Sequence, residues 1–139
     1  LKRDAAEEVV RPQLFPGEVR TGELYLDGNI LCTPDESGVK GRRKLMFGGH
    51  IVVSLAIDNR GGVIGNPSLF IEGLPVVEDD DLTIEQLVRR TITGTLKSIP
   101  PKRRADPDLV SNALQRAVRG EVGAFWGKKP NVTVFVHAA

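Results

Sequence analysis

The chain has few of the residues that form cross-links, metal sites and aromatic cores. Its 139 residues include one cysteine, two histidines, one tryptophan and one tyrosine. Because Cys32 is the only cysteine, no disulfide can form within the chain, which favours a reducing compartment and a cytoplasmic location. Neither His50 nor His137 has a second histidine or a cysteine at ligand spacing, whereas a catalytic zinc ion usually has about three protein ligands. We therefore expect no metal site at either histidine.

Charge of one sign and long apolar runs are also missing. The 19 Lys and Arg residues and 18 Asp and Glu residues leave a net charge of +1, so any contact with nucleic acid must come from a local patch. No apolar run approaches a membrane span and no signal-peptide pattern opens the chain, so no membrane partner is expected. The chain begins with Leu1 rather than Met, which is typical of a piece of a longer protein or of a processed chain.

Recognisable catalytic motifs are not found either. Ser54 and Ser68 lie in predicted strands without the pattern of a nucleophile elbow, and the stretch "GGVIG" precedes a strand and lacks the lysine of a phosphate-binding loop. The acidic run from Glu78 to Asp81 is more typical of a solvated loop than of a cation site. No catalytic residue, metal ligand or cofactor is therefore predicted in this chain.

The sequence after residue 48 has clear strand and helix patterns. "HIVVSLAID" alternates apolar residues and predicts a strand, and "NRGG" predicts a hairpin turn into a second strand, which is at an edge or bulged at Pro67. Helical spacing predicts helices over Leu82–Ser98, capped by Asp81 or Thr83, and over Asp106–Phe125. "NVTVFVHA" predicts the last strand.

These elements predict an α+β fold, a two-layer sandwich in which two helices cover one face of a three-stranded sheet, in the order ββααβ. Residues 49–139 form this domain, and residues 1–48 form a tail, one strand and a linker. Within that tail we expect a poorly ordered arm at residues 1–18, a strand at "GELYLDGN" and a short helix at about Val39–Phe47.

Basic residues gather around the ends of the two predicted helices, with the only tryptophan among them. Such residues can bind RNA phosphates while the tryptophan stacks on a base. The alternative, which we weigh more heavily, is that the charges keep the surface solvated and the tryptophan closes the core. The candidate RNA-binding residues are Lys97, Lys102, Arg103, Arg104, Trp126, Lys128 and Lys129.

Four blocks of sequence, "GELYLDGN", "RRKLMF", "HIVVSLAIDNRGGVI" and "WGKKPNVTVFVH", resemble in their order and spacing the C-terminal portion of bacterial ribonuclease J, above all its alphaproteobacterial members. The resemblance runs from about Gly22 to the end. It implies a parent hydrolase with a metallo-β-lactamase core and an inserted β-CASP domain. Such a parent acts on RNA as a 5′-to-3′ exonuclease with some endonuclease activity, and it uses two zinc or other divalent metal ions.

The His/Asp motif that holds those metals lies upstream in the family and has no counterpart here, so the resemblance transfers no catalytic or metal-binding residue. "GELYLDGN" would match the last strand of the catalytic core, and the residues from about His50 would be the C-terminal domain, which the family links to self-association. Whether this chain is itself an enzyme stays open at this point.

Three functions remain as hypotheses. The first is a non-catalytic accessory domain of the ribonuclease that supports homodimerisation through the sheet face that the helices leave open. The others are an RNA-binding module that uses the basic residues and a small-molecule regulatory domain. The residues predicted for the dimer interface are Val52, Ser54, Ala56, Thr133, Phe135 and His137.

Overall fold

The computed structural model describes residues 9–10, 22–76 and 82–139. The chain divides into two compact units, Leu1–Lys44 and Leu45–Ala139. The predicted arm at residues 1–18 lies outside the described residues, apart from Val9 and Val10, and so does the acidic run from Glu78 to Asp81.

The first unit contains a small antiparallel sheet. Strands β1 (Val9–Val10), β2 (Leu24–Asp27) and β3 (Ile30–Cys32) pair in the order β1-β2-β3. The strand predicted at "GELYLDGN" is therefore present, but β3 replaces a segment expected as linker. The hairpin between β2 and β3 needs only a two-residue turn because Gly28, with φ of 61°, opens it in the left-handed region.

Helix α1 (Val39–Gly48) lies where the short helix was predicted. The Asp27 side chain, at the end of β2, links the hairpin to the start of this helix. Its Oδ2 accepts hydrogen bonds from the backbone N–H of Gly38 (2.8 Å) and the Ser37 hydroxyl (3.3 Å). Its Oδ1 lies 2.8 Å from Nη2 of Arg42. The Gly38 N–H and the Arg42 guanidinium lower the pKa of the Asp27 carboxyl.

The second unit contains a mixed three-stranded sheet. Strands β4 (His50–Ile57), β5 (Val63–Glu72) and β6 (Asn131–Ala138) form it in the order β5-β4-β6. β4 is central, antiparallel to β5 and parallel to β6. β5 is an edge strand, and its register with β4 shifts between the pairs Ser54–Ser68 and Ala56–Ile64, which enclose Pro67. The expectation of an edge strand with a bulge at that proline is confirmed.

Between β5 and β6 the described residues form three helices. They are α2 (Ile84–Ser98), α3 (Pro101–Arg104) and α4 (Pro107–Trp126). Thr83 and Gln86 form a capping box at α2, while the Asp106 carboxylate caps α4 and Gly127, with φ of 88°, ends it. The predicted α+β class and three-stranded sheet are confirmed, but the chain order contains α3, which the predicted order ββααβ lacks.

The core of this unit consists of aliphatic stripes on β4, α2 and α4. The inward residues of β4 are Ile51, Val53, Leu55 and Ile57, and those of α4 are Val110, Leu114, Val118 and Val122, all buried. Complete burial of such a side chain contributes roughly 1.5–3 kcal/mol. Phe125 falls on the same helical spacing as the buried stripe of α4, but its side chain is 47% exposed. Four residues beyond Val122 the stripe continues at Trp126, which packs against the core instead.

Candidate functional site

The six residues predicted for a dimer interface lie on one face of the sheet. The register aligns Val52 with Thr133, Ser54 with Phe135 and Ala56 with His137 on neighbouring β4 and β6. On β4 the residues that alternate with Val52, Ser54 and Ala56 are buried in the core. The side chains of Val52, Ser54 and Ala56 therefore point away from the core, and they are half-buried. Sequence reasoning missed two members from β5, Phe70 opposite Val52 and Ile64 opposite Ala56. We call the face formed by these eight residues the open face.

Large apolar side chains are exposed on the open face. Phe70 is 54% exposed, Phe135 52% and Ile64 47%. They flank the smaller residues of β4, so the apolar surface crosses all three strands. An exposed apolar patch of this kind marks an interaction surface more often than an isolated apolar residue does.

Among the residues that the structure describes in this unit, one histidine side chain makes a hydrogen bond. Nε2 of His50 lies 2.8 Å from the hydroxyl of Thr133, at the end of the sheet where β4 begins. Within the described ranges, no group of three or more His, Cys, Asp or Glu residues is placed to hold a metal ion. The residues described here therefore do not fit the two-metal centre that the resemblance implies for a parent enzyme, and no catalytic step is derived from them.

The first group of predicted RNA-binding residues, Lys97 and Lys102–Arg104, lies near the turn between β4 and β5. A Cβ atom at Gly61, in that turn, would come within 2.5 Å of the Arg104 Cβ, so the turn backbone lies directly against α3. Lys97, Lys102 and Arg103 are exposed, whereas Arg104 is half-buried.

The second group, Trp126, Lys128 and Lys129, lies at the start of β4. A Cβ atom at Gly48 would come within 2.6 Å of the Lys129 carbonyl oxygen. Nζ of Lys128 lies 4.9 Å from the ring centroid of Phe47 and 5.5 Å from that of Trp126, within cation–π range. Phe47, which is 63% exposed, was not predicted as part of this group, although it ends the basic stretch "RRKLMF".

The structure does not bring the two basic groups together. One lies at the Ile57 end of β4 and the other at its His50 end, and a strand of that length spans about 23 Å. Helix α4, which separates Arg104 from Lys128 in the chain, is about 30 Å long. The predicted RNA-binding residues therefore form two separate patches, one at each end of β4.

Comparisons with known proteins place the chain in a family. The model of the family described as "Ribonuclease J C-terminal domain" matches residues 38–139. The ribonuclease J of Sinorhizobium meliloti is 38% identical over 119 residues, which cover 86% of this chain and 21% of that protein. The chain thus spans about a fifth of the length of this curated relative. No helix in the described ranges is both long and apolar enough to cross a membrane.

The resemblance seen in the sequence, to the C-terminal portion of an alphaproteobacterial ribonuclease J, is therefore confirmed: the chain belongs to the ribonuclease J C-terminal domain family.

Proposed function

We propose that this chain is the non-catalytic accessory domain of a ribonuclease J and that it supports self-association of the parent enzyme. The family match and the relative named as a ribonuclease support RNA as the substrate of the whole protein. In this proposal the parent is a cytoplasmic hydrolase, and its zinc or other divalent metal is bound outside this chain. The accessory domain comprises residues 49–139, and residues 1–48 lead into it from the catalytic body.

The arrangement of the second unit in this proposal is a two-layer sandwich, with the helices on the face opposite the open face. Two contacts between helices and edge strands support it. The Ser111 hydroxyl of α4 donates a hydrogen bond to the Val134 carbonyl of β6 (3.1 Å). Nη1 of Arg89, on α2, donates to the Pro67 carbonyl of β5 (3.1 Å). Complete burial of the alternate side chains of β4 agrees with helices on that side only.

The observation that carries the self-association is the open face. Three strands about 4.8 Å apart and about 23 Å long present roughly 330 Å² on each copy, so two copies pressed together bury on the order of 700 Å². This is below the roughly 1,200 Å² at which stable complexes begin. We therefore expect a weak dimer from this face alone, one whose population rises with concentration.

Sedimentation velocity of the 139-residue chain from micromolar to near-millimolar concentration tests this proposal. A sedimentation coefficient that rises smoothly towards that of a dimer supports it, and a strict monomer over the whole range contradicts it. A hydrolysis assay on single-stranded RNA with added divalent metal tests the non-catalytic part. Turnover by the chain alone would refute that part.

A second candidate function, RNA binding, is favoured by the patch at the start of β4. The Lys128 ammonium lies beside the rings of Phe47 and Trp126, and an exposed ring such as that of Phe47 can stack a base while the cation holds a phosphate. Because the two basic patches are separate, the double variants K128E/K129E and K102E/R103E test them independently. Loss of single-stranded RNA affinity and of its salt dependence in the first variant but not the second would assign binding to this patch. Unchanged affinity in both variants would exclude the candidate function.

A further inference from the structure

A cleft of ≈ 280 Å³ lies between β5 and α2, away from the open face and from the patch at the start of β4. Its walls are apolar on both sides, with Val63 and Pro67 from β5 and Ile92 and Leu96 from α2. Thr93, Lys97 and Arg104 complete the lining. The lining of the cleft thus combines apolar side chains with two cationic side chains, those of Lys97 and Arg104.

The sequence builds this cleft with two local devices. The bulge that contains Pro67 interrupts the regular ladder of β5, and the hydrogen bond from Arg89 to the Pro67 carbonyl holds that bulge against α2. On the other side, Gly61 has φ of 81° and no side chain, which lets the β4–β5 turn pack directly against Arg104. Arg104, the last residue of α3, is therefore packed against this turn and is half-buried.

The two cations of the cleft have no anionic partner in the part of the chain that the structure describes. Nε of Arg104 is buried and has no hydrogen-bond acceptor, which is costly for a charged donor. Asp58, which begins the turn that packs against Arg104, accepts from the Arg60 and Gly62 backbone, and Asp106, two residues beyond Arg104, caps α4. Arg104 also lines the cleft, so an anion there would give its guanidinium a negatively charged partner.

We propose that this cleft binds a nucleoside monophosphate, with the base between the apolar walls and the phosphate on Arg104 and Lys97. A guanidinium binds phosphate with paired N–H donors, and the lysine adds a second positive charge. The cleft is close to the lower limit of about 300 Å³ for small-molecule sites, which suits one nucleotide rather than a longer chain. The cleft and its charges identify a small anion with an apolar body, and the choice of a nucleotide rests on the proposed link to RNA hydrolysis.

Calorimetric titration of the 139-residue chain tests the site with adenosine 5′-monophosphate, adenosine and inorganic phosphate as separate probes. We expect the nucleotide to bind and each of its halves to bind at least tenfold more weakly. The R104Q variant should lose about 10- to 100-fold in affinity for the nucleotide, because it removes a charge-assisted contact. The R103Q variant is the matched control, since its side chain is exposed on the same short helix, and it should bind normally.

The T93W variant provides a test that keeps every charge, because a large ring at this exposed lining position fills the cleft. It should abolish binding while leaving the circular dichroism spectrum and melting temperature close to those of the parent chain. Failure of the nucleotide to bind at millimolar concentration, or equal binding by the parent chain, R104Q and T93W, would overturn the proposal. Sedimentation of the same samples reports on self-association separately, because these substitutions leave the open face unchanged.

Discussion

Replacing Phe135 by lysine should abolish self-association of this chain. Phe135 is 52% exposed on β6, beside the central strand of the open face. In a two-fold dimer each substitution acts twice, because both copies present the same surface to each other. The variant therefore places two ammonium groups where two apolar rings were covered.

The magnitude follows from the exposed area. A phenylalanine side chain offers about 200 Å², so about 100 Å² of Phe135 remains to be covered in each copy. At about 25 cal/mol per Å², covering both rings contributes about 5 kcal/mol, and covering half of that area contributes about 2.5 kcal/mol. The dissociation constant should therefore rise between roughly 60-fold and 1,000-fold or more, which leaves a monomer at every practical concentration.

Sedimentation equilibrium of F135K beside F125K provides the assay and its control. Phe125 is exposed to nearly the same extent, 47%, but it lies on α4 rather than on the sheet, so F125K changes exposure and charge in the same way at another place. F125K should dimerise like the parent chain. Equal dimerisation by both variants, with native circular dichroism spectra, would show that the open face is not the interface.

Three further predictions concern stability and are measured by urea unfolding. G49A should lower the free energy of unfolding by roughly 3 kcal/mol, because residue 49 has φ of 68° and a Cβ would lie 2.7 Å from the Glu72 carbonyl oxygen. G127A is the control: residue 127 has φ of 88° but open space around it, so this variant should lower the free energy of unfolding by only about 1 kcal/mol. Equal losses would contradict this reasoning. D106A should cost about 1 kcal/mol by removing the α4 cap, and no loss would mean that the cap is dispensable. Hydrogen bonds from the backbone N–H groups of Gly62 and then Arg60 lower the pKa of Asp58 in the folded chain. The carboxylate therefore contributes its full stabilisation to the folded state above its unfolded pKa of about 4, and this stabilisation is lost as the pH falls through the lower folded pKa. D58N should therefore be less stable at pH 7 and lose less stability on acidification than the parent chain, and parallel pH profiles would contradict this.

The features that could be predicted from the sequence are those specified by neighbouring residues. Helix α4 begins with Asp106 and Pro107 and ends at Gly127, and both signals are local, so its bounds followed from the pattern. Alternation in β4 likewise identified its buried residues, because successive side chains of a strand point to opposite faces. The six predicted members of the open face share one side for the same reason.

The features that were missed depend on contacts between distant segments or on ambiguous signals. Pro101 follows the predicted end of α2, and because proline suits the first position of a helix as well as a stop, the sequence alone did not show that it begins α3. Phe70 and Ile64 joined the open face only through the pairing register, since the bulge at Pro67 changes which residues of β5 lie opposite β4. The distance between the two basic patches could not be predicted, because it depends on the direction in which α4 crosses the sheet.

The sizes of the side chains on the open face support the proposed contact with a second copy of the chain. The centre of β4 carries only Ser54 and Ala56, whereas a half-buried strand ordinarily favours bulky β-branched or aromatic residues. Phe135 and Phe70 stand beside this low centre on opposite edge strands. In the proposed dimer the two-fold axis would lie between two facing sheets, and the low centre of each sheet would leave room for the rings of the other copy. Because the same backbone alternation buries the aliphatic side of β4, the strand that stabilises the core would also lie at the centre of the proposed interface.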